Sequence, residues 1–184
     1  INNAMIAMGY DEIVTYPFMS PKMYDKICLP ADHPMRKSVV ITNPLGEDTS
    51  IMRTTTLPSM LEILTRNYNF RNKSAKLYEL GRTYFAKNDG SGTYGAKVNF
   101  FTVKGLVEAI MKDLRAENVR FEACTDNPSY HPGRCASVWA GDECIGVFGQ
   151  IHPLVAANYG VDTELHCAEL SLEKLLNACG PDPI

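Results

Sequence analysis

Ala136-Ser137-Val138-Trp139-Ala140, then Gly141-Asp142, then Glu143-Cys144-Ile145-Gly146-Val147-Phe148: two runs with β-branched and aromatic residues flank a Gly-Asp pair. Such a pair supplies the positive backbone dihedrals of a two-residue turn, so the stretch reads as a tight antiparallel hairpin. Upstream, Val119 to Cys124 reads as another strand, and Val98 to Thr102 as a further one. Between them a helix puts Val103, Val107, Ile110, Met111 and Leu114 on one side. Downstream, Pro153 opens a short helix that Gly160 closes, and Leu165 to Leu170 makes a last strand. Ser171 then caps a helix carrying Leu172, Leu175 and Leu176, which Gly180-Pro181 stops.

The first half has fewer strands. Ile1, Ala4, Met5 and Met8 share a helical face, with Gly9 placed for a left-handed cap. Glu12 to Met19 reads as a strand, edge-placed or bulged because Pro17 lacks a backbone donor. Val39 to Thr42 is a short strand closed by the turn Asn43-Pro44-Leu45-Gly46. Leu57, Met60, Leu61, Leu64 and Tyr68 then follow helical spacing, with Thr56 able to cap the start and Pro58 tolerated in the first turn. Lys76 to Phe85 returns as a strand, and Asn88 to Gly95 reads as a break. Hairpin-connected strands outnumber helices and no strand-helix-strand alternation is sustained, so the chain is expected to be α+β, with a mainly antiparallel sheet in a single domain over residues 1–184.

The 184 residues are 45% hydrophobic and 21% charged, enough for one sizeable core. No apolar run approaches the roughly 18 residues of a bilayer span, and no signal-like opening is present, so a cytoplasmic location is expected. The start at Ile1, inside a helical pattern, reads as a cut from something longer. Net charge is -3 with scattered Lys and Arg, so the broad basic face of an autonomous nucleic-acid binder is not evident. Six cysteines form no CxxC pair and read as free thiols rather than disulfides or a metal site. His131 and His152 precede prolines and read as turn-shaping residues rather than ligands; no metal site is expected. Gly146 and Gly149 lie in a strand pattern and read as close strand packing, not a phosphate loop. Arg53, Arg66, Arg71, Arg82 and Arg134 read as partners of carboxylates or helix ends before RNA contacts, with Glu79 paired to Arg82.

Four stretches carry a family resemblance. They are Met8-Gly9-Tyr10-Asp11-Glu12-Ile13 leading to Tyr16; Asn43-Pro44-Leu45-Gly46 with Met52-Arg53-Thr54 and Leu57-Pro58; Tyr78-Glu79-Leu80-Gly81-Arg82; and His131-Pro132-Gly133-Arg134 followed by Ile145 to Pro153. With the closing Ala168-Glu169-Leu170-Ser171-Leu172, their order and wording resemble the synthetase-like core of the bacterial phenylalanyl-tRNA synthetase beta subunit. The resemblance implies a class II aminoacyl-tRNA synthetase-like antiparallel sheet flanked by helices, in a fragment without that subunit's editing and anticodon-binding domains. The family also carries a longer insertion between Lys87 and Lys97, with a further strand beside Tyr78 to Phe85. Its shortness here, over residues 88–96, reads as missing sequence rather than a deletion, because a deletion would bare a sheet edge.

Catalytic class II enzymes end the second signature strand in Arg-x-Glu, where the Arg neutralises the α-phosphate of ATP during adenylation. Laid on this chain, Phe85 falls at the Arg position and Lys87 at the Glu position. Neither can do that work. The third signature, a Gly-rich strand ending in Arg, is replaced by Cys167-Ala168-Glu169-Leu170-Ser171. The resemblance therefore implies no catalytic residue, no metal and no cofactor in this chain, within a parent phenylalanine-tRNA ligase that is an α₂β₂ heterotetramer using ATP and Mg²⁺. It implies a catalytic alpha subunit and tRNA as partners, and scaffolding of that assembly as the role. Leu57, Met60, Leu61, Leu64 and Tyr68 read first as core and secondly as candidate interface with the partner. The rivals are a stand-alone paralogue binding RNA or a small molecule, and an active class II ligase domain.

Overall fold

The computed structural model describes residues 1–72, 74–86, 92–100 and 104–179. In chain order the elements are α1 (Asn2–Ala7), β1 (Asp11–Glu12), β2 (Phe18–Met19), α2 (Lys22–Lys26), β3 (Ile51–Met52), α3 (Leu57–Asn69), β4 (Leu77–Ala86) and β5 (Gly92–Phe100). They continue with α4 (Lys104–Asp113), β6 (Val119–Ala123), β7 (Tyr130–Ala140), β8 (Glu143–Ile151), α5 (Pro153–Asn158), β9 (His166–Ser171) and α6 (Leu172–Asn177). One sheet runs β1-β4-β5-β9-β8-β7-β6, antiparallel throughout except for β1 alongside β4; β2 and β3 make a separate antiparallel pair.

The expected hairpin forms as β7 and β8, with Ala140 opposite Glu143 and Gly141 at φ +58°. Gly146 and Gly149 serve strand packing: a Cβ at Gly146 would collide with the Glu169 carbonyl, and one at Gly149 with the Arg134 carbonyl. On the helices, Leu57, Met60, Leu61 and Leu64 of α3, Val107, Ile110 and Met111 of α4 and Leu175 of α6 join one buried cluster with Val138, Ile145 and Leu170 of the sheet. Each such side chain contributes roughly 1.5–3 kcal/mol of burial.

Several expectations need correction. The strand expected over Glu12 to Met19 is split into β1 and β2, since Pro17 cannot donate and Thr15 is drawn to a carboxylate on β4. Val39 to Thr42 contributes only an isolated bridge, Val40 to Ile51. Gly92 to Gly95, expected in a break, belongs to β5, which pairs with β4 from Ala86–Gly92 to Tyr78–Phe100; backbone pairing overrides the weak strand propensity of glycine. That strand closes this edge of β4; residues 88–91 of the segment expected to be short lie outside the described residues. Lys87, Thr102, Val103, Gly180 and Pro181 lie outside the described residues.

Candidate functional site

Arg53, immediately after β3, begins a run of four buried polar residues, Arg53-Thr54-Thr55-Thr56, that leads into α3. The run is held at its start by backbone bonds: Arg53 N donates to the Pro17 carbonyl at 2.9 Å, and Tyr84 N donates to the Arg53 carbonyl at 2.8 Å. Its side chains then go to separate partners. Arg53 Nη2 meets Glu79 Oε1 at 3.0 Å with both side chains 3% exposed, Nε donates to the Arg82 carbonyl at 2.9 Å, and Nη1 donates to Thr15 Oγ1. Glu79 also accepts from Thr15 N at 3.0 Å and from Thr15 Oγ1. A buried ion pair persists only when its remaining donors and acceptors are filled, and this one ties three separate chain segments together.

Thr54 Oγ1 lies 2.8 Å from Tyr24 Oη, which is also 2.6 Å from Ser38 Oγ. Thr55 Oγ1 donates to Glu169 Oε1 at 2.8 Å and accepts from Leu57 N at 3.2 Å, while Thr56 N faces the same carboxylate oxygen at 3.4 Å. A carboxylate thus sits where the amides of α3 are unpaired and the helix dipole is positive. The cap expected from Thr56 is supplied by Thr55 and Glu169 instead; Thr56 Oγ1 is buried without a partner.

The expected Glu79–Arg82 pair is not formed, because residues three apart on a strand point to opposite faces. Arg134 pairs with Glu164 at 2.9 Å on the surface and reaches Gln150 Oε1 at 2.6 Å. Both singled-out histidines shape turns: His131 Nδ1 accepts from Gly133 N, and His152 Nδ1 accepts from Leu154 N at the start of α5. His33, before Pro34, does the same with Met35 N, a third instance legible in the sequence as His-Pro. Among the described residues no group of three or more His, Cys, Asp or Glu is placed to hold a metal. All six cysteines are free thiols.

Four of the five candidate interface residues face inward. Leu57, Met60, Leu61 and Leu64 are buried within the chain's own core, where a partner reaches them only by lifting α3 from its sheet, while Tyr68 is half-buried and donates its hydroxyl to Asp162 at the surface. The outward apolar surface is elsewhere. From Ile13 to Phe18 exposure alternates: Thr15 turns in to Glu79, while Val14 (90% exposed), Tyr16 (81%) and Phe18 (41%) turn out. These three edge a groove of about 670 Å³ with Met19, Lys22 and Ile63. No sequence signal beyond the alternation itself marked them.

Phe85 sits half-buried near the end of β4, and Cys167 to Ser171 lie in β9, which passes straight into α6 with the Ser171 side chain accepting from Lys174 N. Antiparallel strands around a β4–β5 hairpin, with a final strand entering a helix, define a class II aminoacyl-tRNA synthetase-like fold. The crystal structure of pyrrolysyl-tRNA synthetase from Desulfitobacterium hafniense is similar, with a TM-score of 0.71 at 13% identity over 95% of this chain and 65% of that one. Within that class, the chain belongs to the phenylalanyl-tRNA synthetase beta chain family, matching its CLM domain over residues 1–172. It is 39% identical over 182 residues to the phenylalanine–tRNA ligase beta subunit of Clostridium tetani, and 40% identical over 187 residues to that of Clostridium acetobutylicum. These matches take in 93% and 96% of this chain but only 23% and 24% of the relatives, so the chain spans about a quarter of their length. No helix among the described residues is long and apolar enough to cross a membrane.

Proposed function

We propose that this chain is a non-catalytic core module of a phenylalanine–tRNA ligase, which scaffolds the pairing of alpha and beta subunits and helps position tRNA for phenylalanylation on the alpha subunit. The observation that carries the reading is the outward register of Val14, Tyr16 and Phe18, pinned by the buried Arg53–Glu79–Thr15 cluster. A contiguous exposed apolar strip is costly to leave in water and marks a protein contact. The sheet's carboxylates are meanwhile used structurally: Glu79 by Arg53 and Thr15, Glu169 by Thr55 and Thr56. Phe85 stands where the first signature arginine would neutralise a nucleotide phosphate on such a sheet, and Cys167 to Ser171 carry no arginine for the second. ATP and Mg²⁺ then belong to the partner's site, in a cytoplasmic heterotetramer.

The test is phenylalanine-dependent ATP–pyrophosphate exchange. The beta subunit alone is expected to give none, and addition of the catalytic alpha subunit to restore it. Exchange by the beta subunit alone would overturn the reading in favour of an active ligase domain.

A further inference from the structure

Cys124 and Cys135 stand opposite one another across β6 and β7. The ladder pairs Ala123 with Ala136, and it continues one step further, with Cys124 N donating to the Cys135 carbonyl at 3.0 Å. Residues opposed in this way share a face of the sheet, with Cα atoms about 5.5 Å apart in a hydrogen-bonded pair, inside the roughly 4.4–6.8 Å that a disulfide spans. Cys167 lies in the same row, since Cys135 pairs with Gly149 and Gly149 with Cys167. Two strand spacings, about 9–10 Å, put it beyond disulfide reach. Cys135 thus has a single thiol within bonding distance.

The two thiols differ in access. Cys135 is buried, whereas Cys124 is half-buried one residue beyond β6, the sheet's outermost strand, its Sγ 3.4 Å from Asp126 Oδ1. On its other side, against β8, β7 shifts register between Tyr130 and Cys135, so the backbone that leads into Cys135 is irregular and can absorb a small adjustment.

We propose that Cys124 and Cys135 form an oxidisable dithiol, a modification site at the free edge of the sheet that closes to a cross-strand disulfide with a small disulfide oxidant such as oxidised glutathione. The Cys124 thiolate attacks one glutathione sulfur; the glutathione S–S bond breaks, and the released thiolate takes up the proton Cys124 lost. The Cys135 sulfur, after losing its own proton to solvent, attacks Cys124 Sγ and expels the second glutathione thiolate, which is protonated in turn. Two protein S–H bonds become one S–S bond, and two electrons pass to glutathione. The closed bond fastens β6 to β7 and encloses the connection between them together with the first residues of β7, His131 to Arg134 among them. Burial, then the neighbouring Cys124 thiol, push the Cys135 thiol up to about 12, so the second step is the slower one at neutral pH and accelerates as pH rises.

The experiment treats the intact protein with oxidised glutathione, blocks remaining thiols by alkylation, and maps cysteine-containing peptides by mass spectrometry. The expected result is a Cys124–Cys135 cross-linked peptide, a fall of two in free thiols that dithiothreitol reverses, and arrest of Cys135→Ala at a glutathione adduct on Cys124. A wild-type protein that stops at that adduct, joins Cys124 to another cysteine, or leaves both thiols unreacted overturns the proposal.

Discussion

A Cβ placed on Gly81 would come within 2.7 Å of Arg53 Nη2 and 2.9 Å of Thr56 Cγ2, so the strand glycine and the buried arginine share one space. The family-like wording Glu79-Leu80-Gly81 acquires a physical reason: the guanidinium must cross β4 at a position without a side chain to reach Glu79. Gly81→Ala is therefore expected to cost about 1–3 kcal/mol by overpacking, since Arg53 cannot withdraw without leaving a buried carboxylate unpaired. A urea-denaturation midpoint lowered at unchanged slope checks it.

The Arg53–Glu79 pair should behave as a coupled unit. Arg53→Met alone strands Glu79 and Glu79→Leu alone strands Arg53; each is expected to destabilise by roughly 3–5 kcal/mol, with the double variant less damaged than the sum. A double-mutant cycle in urea measures the coupling. Additive losses would mean that the two side chains act independently.

Cys167 is wholly buried on β9, and burial first, then nearby Glu169, push its thiol up from 9.0 to about 12. In the unfolded chain it ionises near its ordinary value. Between pH 9 and about 12 the unfolded state has therefore lost a proton that the folded state keeps, so stability falls as pH rises, by up to about 1.4 kcal/mol per pH unit for this group. Below pH 9 this group contributes no pH dependence. Denaturation midpoints measured across that window should slope less steeply in Cys167→Ala.

The parts legible in the sequence are those whose signal is local. Leu57 to Tyr68 repeats at helical spacing, and the helix runs over Leu57–Asn69; Gly141-Asp142 between two β-rich runs dictates the β7–β8 hairpin. Of the polar cluster the sequence offers Arg53 and Glu79 but neither their pairing nor Thr15, because the two meet only where β4 runs beside the residue after β3. Strand periodicity could have excluded Arg82 as the partner, since it places Glu79 and Arg82 on opposite faces. The apolar stripe of α3 could not by itself tell core from interface, whereas the alternation over residues 13–18 shows its outward face only once Thr15 is known to bond Glu79.

On the proposed function, Val14, Tyr16 and Phe18 form the face offered to the alpha subunit. Size-exclusion chromatography with light scattering, on the beta subunit mixed with its alpha subunit, tests it most directly by comparing wild type with Tyr16→Asp. Wild type is expected to co-elute and the variant to elute separately, with an unchanged thermal transition because Tyr16 is exposed. Undiminished co-elution of a folded Tyr16→Asp protein would contradict it.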